Sequence, residues 1–250
     1  RNTEKDYLIG VSMTGIASGK VLELNMKEAA KVVKEENERV AKLLGIKPAS
    51  RCTTTKPAGT TSLVLGTSSG IHAWHNDYYV RRLRVGKNEA IYRYLEQNHP
   101  SLVEDEFFRP HDTAIISAPQ RSPEDAITRD ESAMDLLKRV KRVHSEWVKN
   151  GHRKGQNSNN VSATVTVKPD EWDAVGEWMW SNKKFYNGLS ILPHSDHTYK
   201  QAPFEDCEEE KYSEMLDSLM EVNLDNVREE EDETDLKGEI ACAGGACEIF

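Results

Sequence analysis

A loop near residue 60, rich in glycine and hydroxyl side chains, has the composition of a phosphate site. It follows a predicted strand and precedes a short apolar run, residues 63–65, so it is predicted to lead into a helix. A helix N-terminus presents backbone N–H groups and the positive end of the helix dipole, and both favour a phosphate group. Gly59 lets the backbone approach a ligand closely. The predicted phosphate-binding residues are Pro57, Ala58, Gly59, Thr60, Thr61 and Ser62.

The spacing of this loop leaves two interpretations open. The segment Lys56-Pro-Ala-Gly-Thr-Thr-Ser62 lacks the Gly-x4-Gly-Lys-Ser/Thr pattern of a Walker A loop. One interpretation is a phosphate site built on backbone amides and hydroxyls. The other is an ordinary strand-to-helix turn that is rich in capping residues.

Two cysteines near the C terminus form the second candidate. Cys242 and Cys247 are separated by Ala-Gly-Gly-Ala, and the two glycines allow the sulfurs to meet. They follow the acidic block 228–235, and such blocks are typically disordered. A zinc site needs four ligands, and no second cysteine pair lies nearby. The pattern therefore indicates a mobile dithiol that exchanges electrons by thiol–disulfide exchange, with two incidental tail cysteines as the alternative.

The remaining cysteines and the paired histidines favour structural roles. Cys52 lies in a predicted strand and is expected in the core. Cys207 lies in an acidic segment, which should raise its pKa. The histidine pairs lack a surrounding set of carboxylates, so the sequence predicts no metal site. These histidines are His72, His75, His194 and His197.

The elements that carry the loop follow a strand–helix–strand order. Residues 7–12 are predicted to form a short buried strand. A helix follows, with Asn25 as its N-cap and Glu28 at the capping-box position, and Gly45 ends it. The β-branched residues 51–55 are predicted as the second strand. This βαβ order predicts a parallel sheet and an α/β fold.

The chain is predicted to divide into an α/β portion, residues 1–225, and a flexible acidic tail, residues 226–250. Further helices and strands are predicted within the first portion. A long helix is predicted to start near Thr128, with Glu131 at the capping-box position. The other predicted strands are 78–85, 112–118, 161–167 and a buried 188–192, and the other helices start at Pro169 and span 212–224.

Composition excludes several functional classes. The 250 residues include 42 acidic and 33 basic side chains, a formal net charge of −9, which argues against a general nucleic-acid binder. No apolar run approaches the ~18 residues of a membrane span, and no secretory signal is visible. With four cysteines and no signal, a reducing cytoplasm is expected. Because the chain starts at Arg1 rather than Met, we expect a processed or trimmed chain, or a piece of a longer protein.

Six segments, taken together and in order, resemble one family. They are 10–15, 53–72 (Thr-Thr-Thr-Lys-Pro-Ala-Gly-Thr-Thr-Ser-Leu-Val-Leu-Gly-Thr-Ser-Ser-Gly-Ile-His), 160–167, 189–193, 201–203 and 242–247. The sequence resembles the C-terminal portion of adenosylcobalamin-dependent (class II) ribonucleotide reductases of the monomeric ribonucleoside-triphosphate reductase type. The resemblance implies the later part of a ten-stranded α/β barrel.

The resemblance also implies a chemistry. In this family, adenosylcobalamin generates a thiyl radical, which abstracts the 3′ hydrogen of the substrate ribose. The 2′-hydroxyl leaves as water, and an internal cysteine pair supplies two electrons. By resemblance, Pro57 to Ser62 would hold the phosphates of a ribonucleoside triphosphate. Cys242 and Cys247 would re-reduce the internal pair and be reduced in turn by thioredoxin or a similar dithiol.

The sequence departs from the family in ways that bear on activity. The finger-loop pattern Asn-x-Cys-x-Glu is absent, and neither Cys52 nor Cys207 lies where the internal redox pair would. We therefore expect no turnover without an N-terminal reductase part, either covalent or supplied as a split partner. Most cobalamin contacts are expected in that part. The alternative is a non-catalytic nucleotide-binding or interaction protein derived from a reductase half.

Overall fold

The computed structural model describes residues 7–195 and 200–228, which divide into two units. Unit 1 combines Arg1–Trp74 with Pro123–Ser195, and unit 2 combines His75–Ser122 with Asp196–Phe250. The strands are β1 (Leu8–Ser12), β2 (Arg51–Thr54), β3 (Tyr78–Gly86), β4 (Val103–Asp105), β5 (Thr113–Arg121), β6 (Thr164–Val167), β7 (Ser190–Pro193) and β8 (Phe204–Asp206). The α-helices are α1 (Lys20–Glu23), α2 (Met26–Leu44), α3 (Gly59–Val64), α4 (Ala90–Asn98), α5 (Ala133–Val143), α6 (Trp172–Ser181) and α7 (Glu209–Ser218).

The first βαβ motif of unit 1 forms as predicted. Strands β1 and β2 pair in parallel, and α2 is the main helix of the connection between them. The Asn25 side chain accepts a hydrogen bond of 3.2 Å from the Glu28 amide, which caps α2. Gly45 ends the helix in the left-handed conformation, with φ 67°. Local capping residues therefore determine both ends of this helix.

The parallel arrangement of unit 1 continues beyond β2. Thr55 forms a parallel bridge with Val161, and β6 pairs in parallel with β7, so the chain segments follow the order β1, β2, β6, β7. Helix α5 continues into a π turn, His144–Val148. The predicted apolar face of this helix is buried. Its members are Ala133, Leu136, Leu137, Val140, Val143 and Trp147.

Two strands predicted as buried are exposed. In β1, the side chains of Leu8, Ile9 and Val11 are 44%, 42% and 41% exposed. In β7 one residue is half-buried and the other three are exposed. The prediction was wrong because each of these strands pairs with a single neighbour within the described residues, so each lies at an edge. Apolar composition alone does not distinguish an edge strand from a central one.

The predicted start of the long helix was also wrong. Helix α5 begins at Ala133, and Ser132 caps it by accepting a hydrogen bond of 3.1 Å from the Asp135 amide. Glu131, which was predicted to complete a capping box, instead forms a two-point ion pair with Arg139. Two overlapping capping patterns exist here, and the later one forms, with Glu131 engaged by Arg139 eight residues ahead.

Unit 2 is built on an antiparallel sheet with the strand order β4-β5-β3-β8. Strands β3 and β5 pair along nine residues, from Tyr78 opposite Arg121 to Gly86 opposite Thr113. The sequence predicted extended segments here but not their antiparallel pairing. The predicted helix over 212–224 is α7, which starts and ends earlier, and a 3-10 turn follows at Leu224–Asn226.

The mixed α/β class is confirmed. The division into a barrel portion (1–225) and a flexible acidic tail (226–250) stays a prediction. Cys242 and Cys247 lie outside the described residues. No helix in the described ranges is both long and apolar enough to cross a membrane.

Candidate functional site

The predicted phosphate loop lies where the carboxyl ends of β1 and β2 meet. Ser12 is opposite Thr54 at the end of the parallel pair. The Ser12 hydroxyl accepts a hydrogen bond of 3.0 Å from the Lys56 amide, which directs the chain as it leaves β2. Crevices at the carboxyl ends of parallel strands are the usual binding places of α/β sheets. The topology therefore presents residues 56–62 in a position suited to a ligand.

Within the loop, α3 begins at Gly59, earlier than the apolar run. Pro57 and Thr61 are exposed, whereas Ala58 and Gly59 are half-buried. The first amides of a helix have no acceptor within the helix, so they are the donors that a ligand can use. Pro57 and Thr61 are therefore accessible to solvent, and Ala58 and Gly59 are accessible in part.

Ser62 is arranged differently from the other loop residues. Its side chain is buried, and its hydroxyl donates a hydrogen bond of 3.2 Å to the Gly59 carbonyl. Its amide donates to the Ala58 carbonyl at 2.8 Å. Both donors of Ser62 thus serve the helix itself. Its assignment as a phosphate ligand stays a prediction, and the geometry favours Gly59 and Thr61 over it.

A second loop, residues 67–72, supports the first. The Ser69 hydroxyl accepts a hydrogen bond of 3.0 Å from the Ala58 amide. Gly70 has φ +58°, and a Cβ atom there would lie 2.6 Å from the Lys56 carbonyl oxygen. Only glycine permits this close approach of the two backbones. The supporting loop therefore determines where Lys56 and Ala58 lie.

The segment after β1 holds the supporting loop from one side. The Thr14 hydroxyl donates to the Ser68 carbonyl and accepts from the Gly70 amide, both at 2.9 Å. Gly15 has φ +72°, and a Cβ there would meet the Thr67 hydroxyl oxygen at 2.4 Å. Segments 10–15 and 53–72, recognised separately in the sequence, thus form one structure.

His72 connects the supporting loop to β6. The Thr164 amide donates to His72 Nε2 at 2.9 Å, so this nitrogen carries no proton. The other ring nitrogen, Nδ1, lies 3.2 Å from the Ser69 carbonyl and donates to it. Burial lowers the pKa of His72, and Arg139 lowers it further, against the opposing effect of the Ser69 hydrogen bond. The imidazole is therefore neutral and serves as a two-sided link.

A buried ion pair holds the end of the same loop. The side chains of Arg139 and Glu131 are 6% and 12% exposed, with two N–O distances of 2.6 and 2.7 Å. Arg139 Nε also donates to the Ile71 carbonyl at 3.3 Å. Thr14, His72 and Arg139 were not predicted from the sequence as part of the site. The available signal for the first two was their place within the segments that carry the resemblance.

The other candidate groups take structural positions. Cys52 is fully buried, and burial raises the pKa of its thiol. The pKa of Cys207 is raised as predicted, but burial is the largest cause, ahead of the neighbouring carboxylates. Across 7–195 and 200–228, no three His, Cys, Asp or Glu side chains are grouped closely enough to hold a metal ion.

A cavity of about 450 Å³ lies in unit 2. Five carboxylates line it, those of Asp77, Asp206, Glu208, Glu209 and Glu210. No ligand is assigned to this cavity.

Comparison with known proteins relates this chain to one group of enzymes. No family model matches it. It is 24% identical over 227 residues to the adenosylcobalamin-dependent ribonucleoside-triphosphate reductase of Lacticaseibacillus paracasei, covering 87% of this chain and 29% of that protein. It is 27% identical over 223 residues to the enzyme of the same name from Euglena gracilis, covering 85% and 29%. It is also 26% identical over 234 residues to a probable enzyme of this type from Dictyostelium discoideum, covering 86% and 28%.

A solved structure shows the same fold. The crystal structure of a B12-dependent (class II) ribonucleotide reductase matches 90% of this chain and 35% of that chain, with a TM-score of 0.72 and 19% identity. The resemblance found in the sequence is confirmed. This chain spans less than a third of the length of these curated relatives.

Proposed function

We propose that this chain, a relative of the adenosylcobalamin-dependent ribonucleoside-triphosphate reductases, contributes the substrate phosphate site to a ribonucleotide reductase. The observation that supports the proposal is the convergence of β1 and β2 on a partly exposed loop that leads into the first turn of α3. The substrate is a ribonucleoside triphosphate, which is reduced to the deoxyribonucleotide by radical removal of its 2′-hydroxyl.

The loop acts by holding donors in a fixed direction. Ser12 and Ser69 occupy the amides of Lys56 and Ala58, so these two amides stabilise the loop instead of the ligand. The donors left for phosphate oxygens are those of the first turn of α3, together with the exposed Thr61 hydroxyl. Lys56 is exposed beside the loop and adds positive charge. Because the donors are already oriented, binding a phosphate costs little reorganisation.

The second part of the proposal concerns the tail dithiol. Cys242 and Cys247 pass two electrons and two protons to an oxidised cysteine pair in the active site and become a disulfide. Thioredoxin or a similar dithiol reduces that disulfide and is itself oxidised. Both cysteines lie outside the described residues, so the proposal rests on the sequence pattern and the related enzymes.

Turnover requires parts that this chain does not supply. When bound to the complete enzyme, adenosylcobalamin supplies the radical. No described residue is assigned to the cofactor, and no step proposed for this chain passes through it. The finger-loop pattern Asn-x-Cys-x-Glu is absent from the 250 residues, so an N-terminal reductase part must contribute it. The same absence favours the second candidate function, a non-catalytic nucleotide-binding protein.

A binding experiment tests the phosphate site. We would titrate the chain with a ribonucleoside triphosphate and with the corresponding nucleoside, following the heat of binding. The triphosphate should bind and the nucleoside should bind far more weakly. Thr61→Glu places a negative charge on the exposed loop and should weaken triphosphate binding about tenfold. Ser213→Glu, on an exposed position of α7, is the matched control and should change nothing. Equal binding of triphosphate and nucleoside would refute the site.

A reconstitution experiment separates the two candidate functions. The chain is mixed with the N-terminal part of a related reductase, adenosylcobalamin, a ribonucleoside triphosphate and reduced thioredoxin. Formation of the deoxynucleotide supports the reductase. Triphosphate binding without any deoxynucleotide supports the non-catalytic protein.

A further inference from the structure

We infer that His72 is a positioning residue of the phosphate site, which links the supporting loop to β6 and thereby sets the position of the Ala58 amide. This inference rests on the proposed function, because the loop that His72 positions is the one assigned to phosphate. His72 itself does not touch the ligand. Its role is to hold the groups that give the first turn of α3 its direction.

The link is a continuous path of three hydrogen bonds. The Thr164 amide donates to His72 Nε2 at 2.9 Å, and His72 Nδ1 donates to the Ser69 carbonyl at 3.2 Å. The Ser69 hydroxyl then accepts from the Ala58 amide at 3.0 Å. The path thus runs from the start of β6 to the residue before α3. A neutral imidazole suits the central place because it accepts at one nitrogen and donates at the other.

The supporting loop has other attachments, so loss of His72 should leave the fold intact. Thr14 holds both Ser68 and Gly70 from the side of β1. Arg139 holds the Ile71 carbonyl from the side of α5. Neither contact reaches Ser69, but the Ser69 carbonyl also accepts from the His72 backbone amide at 3.0 Å. Removal of the imidazole should therefore detach Ser69 from β6 and loosen it, while that backbone bond and the rest of the loop stay in place.

Protonation should break the same link. An imidazolium donates at both nitrogens, so its Nε2–H would face the Thr164 N–H, donor against donor. The charged group facing His72 is Arg139, whose charge is balanced by Glu131. The Ser69 carbonyl keeps its hydrogen bond in either state. Acid should thus weaken phosphate binding through the β6 side of the link.

The test compares two histidine variants of the full chain. His72→Phe keeps a planar ring but removes both hydrogen bonds. His144→Phe is the matched control: burial also lowers the pKa of His144, and its Nε2 contacts the Ser158 hydroxyl at 3.2 Å rather than the loop. The probe is inorganic tripolyphosphate, with heat of binding as the readout. We expect His72→Phe to raise the Kd about tenfold and the control to leave it within about twofold.

Three further measurements distinguish positioning from general destabilisation. Amide exchange at Ala58 should accelerate in His72→Phe and not in the control. Once the pH falls far enough below 6.5 to protonate the folded ring, binding should weaken more in the wild type than in His72→Phe, because the titration of the probe itself is common to both. His72→Gln, whose amide can donate and accept, should recover part of the affinity, and it replaces the phenylalanine variant if that variant does not fold.

The outcomes separate this inference from the proposed function. If the wild type does not bind tripolyphosphate, the proposed function fails, while the exchange of Ala58 still tests the positioning. If the wild type binds, and His72→Phe leaves both the Kd and the Ala58 exchange unchanged, the positioning role is wrong. An equal loss of affinity in both phenylalanine variants also overturns it.

Discussion

The buried pair of Arg139 and Glu131 offers a sharp test of how the supporting loop is stabilised. Glu131→Gln keeps the size of the side chain but removes its charge. The Arg139 guanidinium, which is 6% exposed, would then be buried without a counter-ion. Breaking a buried ion pair from one side costs about 3–5 kcal/mol of the free energy of unfolding. For a chain of this size, that corresponds to a fall in Tm of roughly 6–20 °C.

The chain contains a matched exposed pair. Arg39 and Glu36 make the same two-point contact, at 2.8 and 2.7 Å, but their side chains are 62% and 56% exposed. Water already solvates both charges, so Glu36→Gln should change stability by no measurable amount. The two variants differ in burial rather than in bonding geometry, and this difference is what the comparison measures.

Tryptophan fluorescence is the appropriate assay, because all five tryptophans lie within the ranges of unit 1. Urea titrations of the wild type and both variants report the unfolding of that unit. A double variant, Arg139→Met with Glu131→Leu, should recover most of the lost stability, since an apolar pair needs no counter-ion. Phosphate binding by the double variant should be weaker than that of the wild type, because the Ile71 carbonyl loses its donor. Equal midpoints for Glu131→Gln and Glu36→Gln would refute the reasoning.

Four further outcomes are expected. Gly70→Ala should lower the free energy of unfolding by about 2 kcal/mol or more, because φ is +58° and the new Cβ would lie 2.6 Å from a carbonyl oxygen. Gly66→Ala has the same φ but open space around its Cβ, so it should cost only about 1 kcal/mol. Urea midpoints measure both losses. His72 and His144, both in unit 1, have lowered pKa values in the folded state, so the unfolded chain binds more protons below its own pKa near 6.5. Stability should therefore be complete above that pH and fall as the pH drops to 5.5, and the fall should shrink when both are replaced by phenylalanine. Replacing either tail cysteine, for example Cys242→Ser, should abolish turnover with thioredoxin in the reconstituted enzyme, while a small dithiol that enters the active site should still support it. The isolated chain should self-associate through the exposed apolar edge of β1, and Val11→Lys should reduce the sedimentation coefficient; a monodisperse wild-type monomer would contradict this.

The parts of the fold that local sequence determines were predicted well. Helix α2 begins and ends at its predicted caps, Asn25 and Gly45, because capping involves residues only a few positions apart. The buried face of α5 follows the helical period of its apolar residues. The parallel pairing of β1 with β2 follows from the βαβ order.

Predictions failed where the deciding contact lies beyond the few residues that a local pattern spans. The exposure of β1 and β7 depends on which strands lie beside them. The start of α5 depends on Glu131 pairing eight residues ahead with Arg139 instead of capping the helix. Strands β3 and β5 pair antiparallel although helix α4 and strand β4 lie between them in the chain, so their pairing depends on how those elements fold. No local pattern contains this information.

The sequence by itself determined the α/β class, the place of the phosphate loop between a strand and a helix, and the relationship to one group of reductases. Only the tertiary structure decided which groups support that loop. In the sequence, His72 stood out only for its spacing from His75, which did not make a convincing metal site. In the structure its hydrogen-bond partner is the amide of Thr164, 92 residues away. A hydrogen bond depends on position in space, and the folded backbone alone brings a ring nitrogen and an amide that far apart in the chain to 2.9 Å.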